Sequence, residues 1–311
     1  MYKGRRIAVV LPAHNEARHI GIAVKTLPDF VDHIIVVDDE SQDATAEEAR
    51  ACGDARVEVI RAERNQGVGG ATMLGYRRGL ELSSDVLVKM DGDGQMDPDY
   101  LAPLLDAVVE HGYDYAKGNR FLAGASLAEM PKVRLFGNVL LTFLTKLASG
   151  YWHIFDPQNG YTAVRAEALR RLDLGAVHKR FFFENDMLSQ LNYHNLRVKD
   201  VAIPARYREE VSDLNPFKIG LTFPPLLLRR FFRRLYQKYV LRDFSPIALF
   251  IAVGLLLFAW GFCFGLYTWV KSNLTGHPAP TGTIMLALLP LILGFQLLLQ
   301  AIVLDIQETP K

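Results

Sequence analysis

Cysteine is almost absent: the 311 residues hold only Cys52 and Cys263. Two thiols so far apart in sequence make neither a disulfide framework nor a zinc-ligand spacing, and they fit a reducing compartment. Net charge is missing as well, with 35 Lys and Arg against 34 Asp and Glu for a formal +1. A general nucleic-acid binder needs a basic excess, so no nucleic-acid partner is expected. Neither an internal repeat nor a low-complexity linker is present. The N-terminal region has no long apolar stretch, because the run at residues 7–11 is too short for a signal-peptide core and reads as a buried strand. The first domain is therefore expected to stay on the side of the membrane where it is made.

Apolar residues are plentiful, at half of the chain, which is high for a wholly soluble protein. The excess lies near the C-terminus, where residues 245–270 and 281–304 each run past twenty positions without Asp, Glu, Lys or Arg. At about 1.5 Å per helical residue either run exceeds a hydrocarbon core of about 30 Å, so two transmembrane helices are predicted. Before them, residues 221–239 interleave basic and large apolar side chains at helical spacing. Such a helix lies in the membrane interface among lipid headgroups or packs as an amphipathic helix on the preceding domain, and the adjoining span favours the interface. Arg229, Arg230, Arg233, Arg234, Lys238 and Arg242 precede the first span, whereas residues 271–280 carry one Lys. The positive-inside rule then places the N-terminal domain and the C-terminus in the cytoplasm, with the short loop outside.

Residues 5–122 alternate short β-branched runs, at 7–11, 34–37, 57–60 and 86–90 and near Tyr115, with helical segments at 16–27, 44–51, 70–82 and 98–111. That alternation predicts an α/β domain with a mostly parallel sheet, and in such sheets ligands bind beyond the carboxyl ends of the strands. Residues 122–210 are less regular, with helices expected near 136–147 and 186–193 and a strand near 198–203. The expected organisation is a catalytic domain at 1–215, an interfacial region at 216–243 and a two-helix anchor at 244–311.

Polar residues stand where ligands would be met: Asn15 and Glu16, Asp38 and Asp39, Asp91 and Asp93, Asn119 and Arg120 each follow an apolar run. Asp91-Gly-Asp93-Gly-Gln95 offers two carboxylates, which is how Mg²⁺ or Mn²⁺ is held when substrate phosphates supply further oxygens. Asp38 either meets a ribose or base, or makes a helix N-cap or Asx turn before the following helix, and Asp39 is favoured as the ligand contact. The turn at residues 67–70 lacks the Lys-Ser/Thr of a P-loop and reads as a close backbone approach. Isolated His14 and His153 give no metal spacing and are expected to be structural or to line the substrate.

Val10-Leu-Pro-Ala-His-Asn-Glu16, Ile35-Val-Val-Asp-Asp-Glu-Ser-Gln-Asp43, Asn65-Gln-Gly-Val-Gly-Gly-Ala71, Asp91-Gly-Asp-Gly-Gln95 and Gly118-Asn-Arg-Phe121 together resemble family 2 glycosyltransferases of the GT-A fold. Within that family the pattern is most similar to dolichyl- and undecaprenyl-phosphate sugar transferases. The resemblance implies a UDP- or GDP-linked sugar donor, a polyprenyl phosphate acceptor, and inverting transfer at a cytoplasmic membrane face, such as a bacterial inner membrane. It implies nucleotide contacts at Pro12, Ala13, Asn15, Glu16, Asp39 and Asp91, and a metal on Asp91, Asp93 and Gln95. Arg120, Arg134, Arg206 and Arg208 match basic positions that meet donor and acceptor phosphates, and Arg120, Arg134 and Asp186 are the candidate catalytic positions. Val68 departs from the pattern, since many relatives carry Lys there.

Asp186, in Glu184-Asn-Asp186, matches the stretch where members acting on sugar hydroxyls place a general base. A phosphate acceptor is already ionised at neutral pH, so a positioning or helix N-cap role is expected instead. The rival readings are a transferase acting on a sugar hydroxyl, a processive synthase and a non-catalytic lipid-binding scaffold. The Gln-x-x-Arg-Trp signature of processive synthases does not occur. A homo-oligomer is open, with Gly261 and Gly265 as a small-residue pair in the first span.

Overall fold

Val- and Ile-rich runs form the strands of the N-terminal unit, since β-branched side chains fit a pleated surface covered on both faces. The structure is a computed structural model that describes residues 1–122, 132–204, 216–242 and 244–310. The chain divides into two compact units, Met1–Phe231 and Phe232–Thr309.

In the first unit β1 (Ile7–Ala13), α1 (Ile20–Lys25), β2 (His33–Asp38), α2 (Thr45–Ala51), β3 (Val57–Arg61), α3 (Val68–Glu81) and β4 (Val86–Lys89) alternate. A short 3₁₀ turn at Pro98–Tyr100 leads into α4 (Leu101–Val109), followed by β5 (Tyr115–Asn119), α5 (Lys132–Ser149), β6 (Thr162–Arg165), α6 (Ala166–Arg171), α7 (Phe183–Tyr193), β7 (Val198–Ala202) and α8 (Pro216–Leu235). The sheet runs β3-β2-β1-β4-β6-β5-β7. Strands β1 to β4 pair in parallel, as do β5 and β7, and β6 is antiparallel to both β4 and β5. The mostly parallel expectation holds with that exception. The segment Thr-Ala-Val-Arg is neither an apolar run nor an alternation, and its two neighbours in the sheet define it as a strand.

Side chains alternate across β1, and the two cores follow from that period. Ile7, Val9 and Leu11 pack with Ile20 and Val24 of α1 and with Leu101, Leu104 and Leu105 of α4. Ala8 and Val10 pack on the other face with Ala71, Met73 and Tyr76 of α3 and with Met187 and Leu191 of α7. A smaller cluster joins Ala148 of α5, Phe182, and Phe223 and Leu227 of α8.

Helix α1 starts later than the sequence pattern indicates, and the cause is local. Asn15 adopts φ +60°, and the amides of Asn15, Glu16 and Ala17 donate to Ser41 Oγ (3.0 Å), Thr45 Oγ1 (2.8 Å) and Asp43 Oδ2 (3.1 Å). The segment is committed to a loop before the helix begins.

In the second unit a π-helical turn (Tyr236–Arg242) precedes α9 (Pro246–Thr275) and α10 (Thr281–Gln307), two helices long and apolar enough to cross a membrane. They pack as a hairpin in which Gly261 lies against the backbone of Ala287 and Leu291, and Gly294 against Phe258 and Gly254. Any Cβ there would collide with facing backbone. Gly265 meets only the Ala287 side chain at ordinary contact distance, so the close approach uses Gly261 with Gly254 and Gly294. Asp305, in the last turn of α10, is held bidentately by Arg234 (2.6 and 2.9 Å) and by the Tyr239 hydroxyl (2.5 Å). Arg234 has no exposed surface, so this buried charge is matched by a paired carboxylate. The pair also puts the end of α10 beside the segment that leads into α9.

Candidate active site

The carboxyl ends of β1, β2, β4, β5 and β7 open on one edge of the sheet, and the start of antiparallel β6 joins them, because Thr162 pairs with both Lys89 and Lys117. Ala13, Asp38, Met90 and Asn119 therefore bring their successors together, as a ligand-binding edge requires.

One side of the edge is a cradle of three tied loops. The loop after β1 is bound to the loop after β2 by the three amide contacts described above and by Asn15 Oδ1, which accepts the Gln42 N–H (2.8 Å). Asp39 reaches the third loop: Oδ1 accepts the Gln66 N–H (2.8 Å) and Oδ2 the Gly67 N–H (2.7 Å). Its first role is thus to brace the turn that opens α3. Asp38 accepts the Ser41 N–H (2.9 Å) and lies 3.5 Å from Arg61 Nε, an Asx-type turn rather than a helix cap. His14 and Asn65 gather above Asp39, with His14 Nδ1 2.8 Å from the Asp39 carbonyl oxygen. Pro12 and Ala13 end β1 beneath them. The turn at residues 67–70 is a close backbone approach: a Cβ on Gly69 would collide with the His178 carbonyl, and the Gly70 N–H donates to the Lys179 carbonyl (2.9 Å).

The centre is acidic. Asp91 is paired with buried Lys89 at 2.5 Å. Asp93 Oδ1 accepts the Gln95 N–H (2.9 Å), with Gly94 at φ +69° completing the turn. Burial first, then the charges of Asp91 and Glu16, push the Asp93 carboxyl up to about 6, against the opposing effects of the Gln95 N–H and Lys89. Glu184, in the first turn of α7, is pushed up to about 8 by burial, with Asp91 adding and Lys89 and Lys117 opposing. Crowded carboxylates raising one another's pKa form a site short of positive charge, which suits a divalent cation. Among the described residues no three His, Cys, Asp or Glu side chains are grouped to hold a metal by themselves. Mg²⁺ usually takes only one or two carboxylates beside substrate phosphates, so Asp91 and Asp93 fit that mode with Gln95 adjacent.

The other side carries basic residues paired with carboxylates. Arg120 leaves β5 and makes a two-point pair with Asp156, Nε to Oδ2 and Nη2 to Oδ1, both at 2.7 Å. Burial raises the Asp156 carboxyl, but Arg120, by hydrogen bond and charge, and Lys117 bring it below the ordinary range. Buried Lys117 donates to the Asp156 carbonyl (2.5 Å) and lies 3.6 Å from Asp200, which also accepts from Asn119 Nδ2 (2.7 Å). The loop before β6 is thereby fixed to β5 and β7, and Arg120 is oriented at the edge. His153 Nε2 lies 2.9 Å from the Val198 carbonyl oxygen, a structural contact. Arg134 falls in the first turn of α5, with its side chain outside the described residues, as are Arg206 and Arg208 altogether.

Asp186 is not the helix cap: Phe182 is, without a side-chain bond. Instead, fully buried Asp186 accepts the His178 N–H (2.8 Å) and Arg230 Nη2 (2.6 Å) at Oδ2. Sequence reasoning passed over Lys89, Lys117, Asp200 and the internal use of Arg230. A lysine inside a strand covered on both faces was the one signal available for Lys89 and Lys117.

The chain matches the profile of glycosyl transferase family 2 over residues 8–173. It belongs to that family and is a glycosyltransferase built on the GT-A fold. It is 32% identical over 218 residues to the UDP-N-acetylglucosamine–dolichyl-phosphate N-acetylglucosaminyltransferase of Methanococcus voltae, covering 65% of this chain and 86% of the relative. It is 33% identical over 209 residues to the undecaprenyl-phosphate mannosyltransferase of Micrococcus luteus, covering 66% and 85% respectively. The fold is shared with glucosyl-3-phosphoglycerate synthase from Mycobacterium tuberculosis, solved with Mn²⁺, UDP-glucose and phosphoglyceric acid, at a TM-score of 0.56 and 22% identity over 74% of this chain and 80% of that one.

Proposed function

We propose that this chain transfers a sugar from a UDP- or GDP-linked donor to a polyprenyl phosphate at the cytoplasmic face of a membrane, with inversion at the anomeric carbon. The observation that carries the reading is one sheet edge with paired carboxylates, Asp91 and Asp93, on one side and an oriented arginine, Arg120, on the other. That edge belongs to a chain whose second unit is a pair of membrane-length helices. Relatives at 32% and 33% identity that carry prenyl-phosphate transferase names support the acceptor class.

An acceptor phosphate oxygen attacks the anomeric carbon as the bond from that carbon to the donor diphosphate breaks, and the electron pair leaves on the nucleoside diphosphate. A phosphate monoester has a second pKa of about 6, so it arrives ionised and needs no base. The tied loops hold the nucleotide, which leaves alignment and charge neutralisation as the tasks. Asp91, Asp93 and Gln95 would hold a Mg²⁺ or Mn²⁺, which would supply positive charge against the departing diphosphate. Arg120, set by Asp156, meets acceptor phosphate in this reading, and the family pattern assigns the same role to Arg134, Arg206 and Arg208.

The test is to supply the full chain in lipid vesicles with undecaprenyl phosphate, Mn²⁺ and a panel of UDP- and GDP-sugars, and to analyse the lipids by mass spectrometry. One donor is expected to yield a lipid-phosphate sugar. EDTA and Asp93→Ala are expected to abolish that product while circular dichroism stays unchanged. Product only on a sugar hydroxyl, or full activity in EDTA, would refute the reading. The hydroxyl-acceptor alternative needs a base, and Asp186, without exposed surface and paired with Arg230, is poorly placed to serve.

A further inference from the structure

Arg230 comes from the amphipathic helix, not from the sheet. On α8 the residues Phe223, Leu227 and Arg230 recur at spacings of four and three, so they share one face. Phe223 meets the Phe182 ring edge-on at 5.2 Å between centroids, and Leu227 joins the same cluster with Ala148 of α5. Arg230 continues that buried stripe into polar ground, where Nη2 donates to Asp186 Oδ2 at 2.6 Å and to the Ala176 carbonyl at 3.3 Å. The rest of the helix surface is different: Leu221, Leu228 and Arg229 are exposed.

From Asp186 the contacts run on. The same Oδ2 takes the His178 N–H (2.8 Å). Next in sequence, the Lys179 carbonyl accepts from Gly70 at the start of α3 (2.9 Å), and the Gly67 N–H is held by Asp39 (2.7 Å). Four hydrogen bonds, joined through residues 178–179 and 67–70, therefore lead from the helix that presents basic and apolar groups outward to Asp39 in the nucleotide cradle. A fully buried carboxylate that accepts from two donors has a structural role that does not involve taking a proton from an acceptor.

We infer that Arg230 is a positioning residue: through Asp186 and the 178–180 segment it holds the turn at residues 67–70, so that seating of α8 and the shape of the nucleotide cradle are coupled. The identity of the cradle's ligand rests on the function proposed above, but the coupling itself does not, and the two are tested separately. The first measurement uses no substrate. Amide hydrogen exchange of the full chain in nanodiscs is compared for wild type, Arg230→Gln and Arg230→Lys. Exchange at His178 and Gly70 is expected to quicken by about tenfold or more in Arg230→Gln, as a charge-assisted bond is lost. It is expected to return towards wild type in Arg230→Lys, since a single donor atom makes the observed contact. Unchanged exchange in Arg230→Gln, or a Lys variant as loose as the Gln one, overturns the coupling.

The second measurement is a double-mutant cycle on nucleotide binding, with UDP and GDP as probes in the presence of Mn²⁺, followed by calorimetry. Asp186→Asn and Arg230→Gln are each expected to weaken the bound nucleotide by about three- to tenfold, and the double variant by no more than either single one. Effects that multiply in the double variant overturn the proposal. So does an Asp186→Asn enzyme that has lost all transfer beside an Arg230→Gln enzyme near wild type, because that pattern marks a general base. Failure of polyprenyl phosphate as acceptor, with exchange and cycle as expected, removes the functional reading and leaves the coupling standing.

Discussion

Glu184 concentrates the electrostatics of the site in one residue. Its carboxyl is buried in the first turn of α7, among Lys89, Lys117 and Asp91, and is pushed up to about 8, from an ordinary value near 4.5, with burial the largest cause. An unfolded chain would release that proton near the ordinary value, whereas the folded chain holds it until pH 8. Between those limits the folded state binds more protons, so this contribution is fully present at low pH and is lost as pH rises through the window. Its slope is at most about 1.4 kcal/mol per pH unit. In metal-free full chain, denaturation midpoints from pH 5 to 8 are expected to fall less steeply for Glu184→Gln than for wild type. Parallel curves would mean that Glu184 titrates as an ordinary surface acid. Asp93 is raised in the same direction, to about 6, so the comparison with Gln isolates the Glu184 share.

Among elements, the loops after β1, β2 and β3 behave as one, and Asp39 is the tie between the second and third. Both of its oxygens accept backbone N–H groups. Asparagine keeps one acceptor and turns an amide NH₂ towards the other donor. Asp39→Asn is therefore expected to cost about 1–3 kcal/mol of stability, the penalty for a buried donor left without an acceptor. Thermal melts of the full chain would show this even without nucleotide. A melt within about 0.5 kcal/mol of wild type, with binding lost, would instead assign Asp39 wholly to the ligand. The helices teach the same lesson in reverse. α1 is short because side chains of residues 41–45 capture the amides that precede it, and α7 has no side-chain cap because Phe182 holds the N-cap position, while Asp186, one turn on, is used by His178 and Arg230.

For the whole molecule, the expected topology rests on two observations of different kinds. Basic residues crowd the segment before α9, and the Arg234–Asp305 pair holds the last turn of α10 to that same segment. Both ends of the hairpin are then expected on one side of a membrane, with the loop between α9 and α10 on the other, and the basic side is expected to be cytoplasmic. A cysteine at Thr275, the last residue of α9, is expected to react with a membrane-impermeant maleimide added outside intact cells. Labelling that requires access from the cytoplasmic face would reverse the assignment. Asp305→Ala should leave the spans in place but strand Arg234, a buried charge, at a cost of about 3–5 kcal/mol.

Most of the sheet and both membrane-length helices were legible in the amino-acid order, because local periodicity and apolar run length are properties of consecutive residues. So were the acidic and basic positions that follow the strands, since a parallel sheet delivers them to one edge whatever the details. The strand β6 was not legible, as Thr-Ala-Val-Arg is neither an apolar run nor an alternation and its antiparallel place depends on β4 and β5. Nor were the partnerships: Asp39 with Gln66 and Gly67, Arg120 with Asp156, and Asp186 with Arg230 join residues 27 to 44 apart. The amino-acid sequence by itself determined which chemistry is present and at which end of the sheet it gathers. Only the tertiary structure decided which charges face a ligand and which are spent on one another, because burial and pairing arise when distant segments meet and exclude water.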